Sequence, residues 1–295
     1  MGWGPRPAPG AVPGGGQDVT PEGEPAVSEP RAGIPARPDL VPQGLARPGP
    51  SGPPPAAGPW GARATWGFWE AILVGPIGFV GGGIVAALAA NPFGRTNLSN
   101  LQFVAVGLIS EAGLFGAVAG WLYVRHRPAI PALRFDPRRP VDAAIGFGSG
   151  LGIYLVAVFG VGLVLTEILN RVSNRSVNAP DQLPNGLHGV SLVLTGVLVL
   201  VAAPVAEELF FRGFLFRGLR ERHGFWFSGI VSAAIFGAVH YQPAPWQDWL
   251  LLCTTLAFVG LGLAGAYEWR RNLIANMAAH CAFNVVGFVL VASGH

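Results

Sequence analysis

Apolar runs with few charges recur along the chain from Trp66 onward. Seven stand out, at about 67–90, 101–124, 142–168, 189–211, 225–241, 247–267 and 272–292. A helix rises 1.5 Å per residue, so most of these runs reach across roughly 30 Å of hydrocarbon. The fifth is the shortest. The fourth continues without a break into a Phe/Arg/Gly-rich stretch ending at Arg222, which predicts one long helix bent at Pro204. Before Trp66 the pattern disappears. Residues 1–60 hold 16 of the 27 prolines and 12 of the 43 glycines, so they lack the apolar surface to offset their ordering entropy. The expected organisation is a disordered cytoplasmic tail over residues 1–64 and a transmembrane domain over 65–295. The tail has no apolar core of a signal peptide, and Arg6 stands where a myristoylation signal wants Ser or Thr.

Composition sharpens this picture. The 295 residues are 51% hydrophobic and 12% charged, against about 25% charged for a soluble domain. That excludes an ordinary soluble enzyme and predicts an all-α, polytopic helix bundle of about seven spans. The net charge is +3 with a pI near 9.3, and all 19 basic residues are arginine. The arginines sit in short clusters between apolar runs. They read as topology determinants, and no nucleic-acid partner is expected. The connections carrying Arg125, Arg127, Arg134, Arg138 and Arg139, then Arg217, Arg220 and Arg222, then Arg270 and Arg271 are the rich ones. Positive-inside logic puts them, and the N-terminus, in the cytoplasm. The Gly/Ala/Pro/Arg bias points to a bacterial plasma membrane. Cys253 and Cys281 both lie in apolar runs and read as small buried residues, not as a disulfide or metal site.

Ionisable residues inside apolar runs are costly and therefore candidate functional groups. They are Glu111, Glu207, Glu208, Arg212, His240 and His280. Glu208 and Arg212 are four residues apart on one helix face and can neutralise each other. Glu207 points about 100° away and lacks that partner. A carboxylate without a counter-ion in a low-dielectric setting suits a general base. A lone histidine in an apolar helix is more often a packed residue than a catalyst. Two histidines, Asn284 and a free glutamate on neighbouring helices have the parts for water activation and oxyanion stabilisation. Glu111 reads as a carboxyl kept neutral or paired within the bundle.

Helix arithmetic allows these groups to meet. Glu207 lies roughly 22 Å along its helix from Arg222, and His240 roughly 24 Å along the next from Gly224. From Asn272, His280 lies roughly 12 Å and Asn284 roughly 18 Å along the last helix. The expected meeting point is the membrane interior, reached from the arginine-rich, cytoplasmic side.

Three patterns stand in order on separate helices: Glu207-Glu208-Leu209-Phe210-Phe211-Arg212, Phe236-Gly237-Ala238-Val239-His240 and His280-Cys281-Ala282-Phe283-Asn284. With Pro204 and the Phe211-Arg212-Gly213 run, they resemble the CPBP family of intramembrane proteases. That family includes Rce1-type CAAX prenyl endopeptidases and relatives linked to bacteriocin self-immunity. The resemblance covers about residues 190–290. It implies an endopeptidase in which Glu207 and His240 activate water while His280 and Asn284 stabilise the oxyanion. Glu208, Arg212 and Phe236 would support them. It also implies a substrate that is a membrane-embedded or membrane-associated peptide or protein. A zinc site with Glu207, His240 and His280 as ligands is the alternative. The compact His-Glu-x-x-His spacing is absent, and the metal-free mechanism is the one expected. Other readings of the same centre are a bacteriocin self-immunity protein, or a non-catalytic scaffold or transporter.

Overall fold

The structure, a computed structural model, describes residues 60–90 and 99–293. The expected tail therefore lies outside the described residues as far as residue 59. Among the described residues there are helices and no strands. Six helices are long and apolar enough to cross a membrane, and a seventh, shorter apolar helix accompanies them. The protein is an integral membrane helix bundle.

Helix α1 spans Phe68–Ala90 and α2 spans Asn100–Arg125. Ser99 caps α2 and forms a capping box with Gln102, which satisfies two of the unpaired donors at the helix start. A short 3-10 helix, Arg127–Leu133, leads to α3, Pro140–Ser173. Helix α4 is Gly189–Arg220, α5 is Phe225–Val239, α6 is Trp246–Arg270 and α7 is Leu273–Ala292.

Two expectations are refined here. The long fourth helix is continuous, but it accommodates Pro204 by widening. A π-helical turn over Leu198–Ala202 precedes the proline, and a second over Leu209–Phe216 follows the Glu207-Glu208 pair. Such bulges absorb the hydrogen bond that a proline cannot make. The fifth run forms 15 residues of helix, about 22 Å, and stops before His240 instead of carrying it internally. Pro243 disfavours helical geometry at Gln242, and the helix ends just upstream of it.

Helix α7 reaches its place through small residues on α3. A β-carbon on Gly146 or Gly150 would collide with the backbone at Ala275 or Ala279, respectively. The two glycines, one turn apart, therefore let α7 approach α3 at backbone distance, and His280 follows directly after Ala279.

The arginine-bearing end of the bundle is tied together. Residues 60–66 pack onto it: Trp60 stacks near Tyr267 with ring centroids 5.4 Å apart, and Trp66 donates from Nε1 to the Phe214 carbonyl at 2.8 Å. Residues on both sides of position 64 are thus held against the bundle. Arg217 pairs with Glu221 and donates to the Ala62 carbonyl, Arg220 pairs with Glu268, and Arg270 pairs with Asp142. Phe214, Phe216, Leu215 and Tyr267 fill the space between.

Candidate active site

Glu208 and Arg212 form the expected pair, with Oε1 and Nη1 2.7 Å apart and both side chains fully buried. Arg212 also donates from Nη2 to the Gly260 carbonyl at 3.0 Å, and its guanidinium lies 4.9 Å from the Phe236 ring centroid. Two α7 side chains complete the Glu208 shell. His280 Nδ1 lies 2.8 Å from Glu208 Oε1, and Asn276 donates from Nδ2 to Oε2. Sequence reasoning missed Asn276. It sits one helical turn before His280, and asking which polar side chains stand four residues from each motif position would have found it.

Glu207 has different surroundings. Its Oε2 is buried without a hydrogen-bond partner, and its ion contact is a loose one, 4.0 Å from His280 Nε2. It opens into a cavity of about 980 Å3. His240, His280, Asn284 and Phe236 line the same cavity, so the structure brings every candidate catalytic side chain to one space. The remaining walls are largely apolar, from Phe79 on α1 to Phe288 on α7.

Hydrogen bonding assigns the histidine protons. A carboxylate or a carbonyl oxygen only accepts, so Nδ1 of His280 donates to Glu208 and Nδ1 of His240 donates to the Phe236 carbonyl at 2.7 Å. Each Nε2 is left uncommitted. The Phe236 ring packs edge-on against His280, with centroids 5.7 Å apart, and lies 4.8 Å from the His240 ring. Asn284 donates one N–H to the Val199 carbonyl at 2.7 Å and keeps its second. That carbonyl lies in the π-turn before Pro204, where the ladder is loosened.

Three placements go beyond the sequence reading. His280, and not His240, is the histidine in ion contact with Glu207. The cavity lies in the half of the bundle away from the arginine-rich end. Its walls come from the N-terminal halves of α2, α4 and α6, the C-terminal halves of α3 and α7, and the loop after α3. Buried aromatic side chains, among them Phe214, Phe216 and Tyr267, fill the arginine-rich end. Glu111, expected to be a neutral or paired carboxyl within the bundle, lines the same cavity as Glu207.

The loop at 174–188 covers the cavity's outer side. Its Val177 side chain is buried, Arg175 pairs with Asp248 at 2.9 Å, and the Asn178 amide donates to Asp248 Oδ1 at 3.2 Å. Among the described residues, no three His, Cys, Asp or Glu side chains are gathered in a way that would hold a metal ion, the set Glu207, His240 and His280 included.

A bundle of apolar helices enclosing glutamate, histidines and asparagine defines a membrane protein with a polar centre inside its membrane-spanning part. Residues 189–286, which run from the start of α4 into α7, match the model of a family described as Type II CAAX prenyl endopeptidase Rce1-like. This agrees with the resemblance carried by the three motifs. Among curated proteins, the chain is 25% identical over 178 residues to UPF0177 protein YvdC of Lactococcus lactis subsp. lactis (strain IL1403), covering 60% of this chain and 62% of that protein. It is 32% identical over 91 residues to "Putative membrane peptidase YdiL" of Bacillus subtilis (strain 168), covering 31% of this chain and 34% of that protein. The aligned region thus spans less than two thirds of either relative. No solved structure matches the chain.

Proposed function

We propose that this protein is an intramembrane endopeptidase that hydrolyses a peptide bond of a membrane-embedded or membrane-associated protein or peptide, without a metal ion. The observation that carries the reading is the contrast on α4. Glu208 is saturated by Arg212, Asn276 and His280, while the adjacent Glu207 keeps a buried, unpartnered oxygen in a cavity shared with two histidines and an asparagine. A base and nearby donors, shielded from bulk water, are the parts that amide hydrolysis needs.

In this mechanism Glu207 takes a proton from the attacking water, helped by the accepting Nε2 of His240. The water oxygen bonds to the scissile carbonyl carbon, and the carbonyl oxygen becomes an oxyanion. The second N–H of Asn284 donates to it. His280 stabilises it as well, through Nε2, its ring held in place by the Nδ1 bond to Glu208. The proton held by Glu207 then passes to the leaving amine as the carbon–nitrogen bond breaks. Tight sequestration of Glu208 by Arg212 keeps it out of the reaction.

The test is cleavage of a library of membrane peptides by purified full-length protein in lipid nanodiscs, read by mass spectrometry. Wild type should cut at least one peptide at a defined bond, and Glu207→Ala should not. Cleavage that survives Glu207→Ala would overturn the proposal. So would binding of such peptides with no cleavage, which would leave a non-catalytic scaffold.

A further inference from the structure

The proposed mechanism leaves Glu111 without a task. This glutamate sits midway along α2, a helix outside the matched segment, and is only 7% exposed. Its Oε2 is buried with no partner, as is Oε2 of Glu207. Both carboxyls line the one cavity, and they lie within each other's electrostatic reach. Among the described residues, no arginine or other permanent cation lines that cavity. The ionisable groups that share it are Tyr154, Glu207, His240 and His280. On α1, packed along α2, the ionisable residue is Glu70, which is held by His126 near the arginine-bearing end. On α4, Glu208 and Arg212 neutralise each other.

Two carboxylates in one apolar cavity cannot both remain charged without a strong penalty. Burying a lone carboxylate is itself expensive, whereas a protonated carboxyl is neutral and gains a donor. One proton shared between the two groups relieves both problems. The site that keeps the proton is the one without other support. Glu207 has the His280 imidazole at its side, with Nε2 4.0 Å from Oε2. Glu111 has no such neighbour.

We infer that Glu111 is a neutral carboxylic acid that donates a hydrogen bond through one cavity water to the Glu207 carboxylate, and so acts as a positioning residue for the catalytic base. This deepens the proposed hydrolytic reading and rests on it for its catalytic consequence. The Glu111 proton stays in place throughout the reaction. It holds the Glu207 carboxylate in one rotamer, aimed at the attacking water. A charge-assisted hydrogen bond of this kind is the strong sort.

The experiment uses full-length protein in lipid nanodiscs at neutral pH, with Glu111→Gln and Glu111→Leu. Glutamine keeps a donor at that position and leucine does not. The first readout needs no turnover. The infrared carbonyl band of a buried protonated carboxyl should be present in wild type, persist in Glu207→Gln, and vanish in Glu111→Gln. Absence of that band from wild type, or its survival in Glu111→Gln, would overturn the inference. The second readout is kinetic, on any peptide that wild type cleaves. Glu111→Gln should keep kcat within about threefold of wild type. Glu111→Leu should lower kcat by about tenfold or more, with KM within about twofold, as expected for losing a hydrogen bond to a charged group.

The pH profile gives the sign. Losing a donor to the Glu207 carboxylate disfavours its ionised form, so the acid limb of kcat/KM should move to higher pH in Glu111→Leu. If Glu111 were a second negative charge, its removal would move that limb to lower pH, and the inference would fall. It would also fall if Glu111→Gln were as impaired as Glu111→Leu. Should wild type cleave nothing, the hydrolytic reading fails by itself, and the infrared band still decides where the proton resides.

Discussion

The arginine-bearing end of the bundle and the cavity-bearing half bury charge in opposite ways. At the arginine end every buried charge meets an opposite one: Arg217 meets Glu221, Arg270 meets Asp142, and Arg212 meets Glu208 one layer further in. Aromatic rings fill the gaps. In the cavity half, Glu111 and Glu207 keep oxygens without hydrogen-bond partners, and two histidines line the same space. The boundary between the two regimes runs between consecutive residues, Glu207 and Glu208. A saturated carboxylate is a structural part. An unsaturated one in a cavity has its hydrogen-bonding capacity left for something that enters.

The contrast can be broken from the saturated side first. Glu208→Gln removes the charge that Arg212, Asn276 and His280 all face. Breaking a buried pair in this way should cost about 3–5 kcal/mol, seen as a large drop in the unfolding midpoint in detergent and poor yield. A variant with wild-type stability would show that the Glu208 layer is not what holds α4 to α7. A smaller effect is expected where backbone contact seats His280. Gly150→Val places a side chain against the Ala279 carbonyl and should destabilise by about 1–3 kcal/mol. Gly152→Ala on the same helix meets open space and should change stability by less than about 0.5 kcal/mol. Equal effects from the two would remove the glycine argument. The smallest effect belongs to the cover loop. The Arg175–Asp248 pair is partly exposed, at 36% and 12% of the two side chains, so Arg175→Ala should shift stability by less than about 1 kcal/mol. A shift several times larger, in the same unfolding assay, would make the loop part of the core.

Much of this architecture is legible in the residues. Hydropathy predicts each long helix to within a few positions, because an apolar span has no other way to satisfy its backbone. The pairing of Glu208 with Arg212 follows from helical spacing alone. The sharing of one cavity by Glu207, His240, His280 and Asn284 is compatible with helix arithmetic but depends on how α4, α5 and α7 pack. Helix rotation and the side of approach are not legible. The cavity's placement away from the arginine end depends on which half the bulky residues Phe214, Phe216 and Tyr267 fill, and run lengths do not reveal that. The stop before His240 was readable from Pro243. Glu111 belongs to no motif on its own helix, and only the packing of α2 against α4 gives it a neighbour.

The central claim is that two adjacent glutamates are divided between fold and chemistry, and one paired measurement on Glu207→Gln tests it most directly. Purified variant and wild type would be compared in the same nanodiscs for thermal unfolding and for the cleavage rate on a peptide that wild type cuts. Replacing the carboxylate by an amide of the same shape should leave the unfolding midpoint unchanged or slightly higher, since no saturated pair is lost. The cleavage rate should fall roughly 10²–10⁴-fold, the range expected for removing a general base. A variant that unfolds at markedly lower temperature, or one that cleaves at the wild-type rate, would contradict the division.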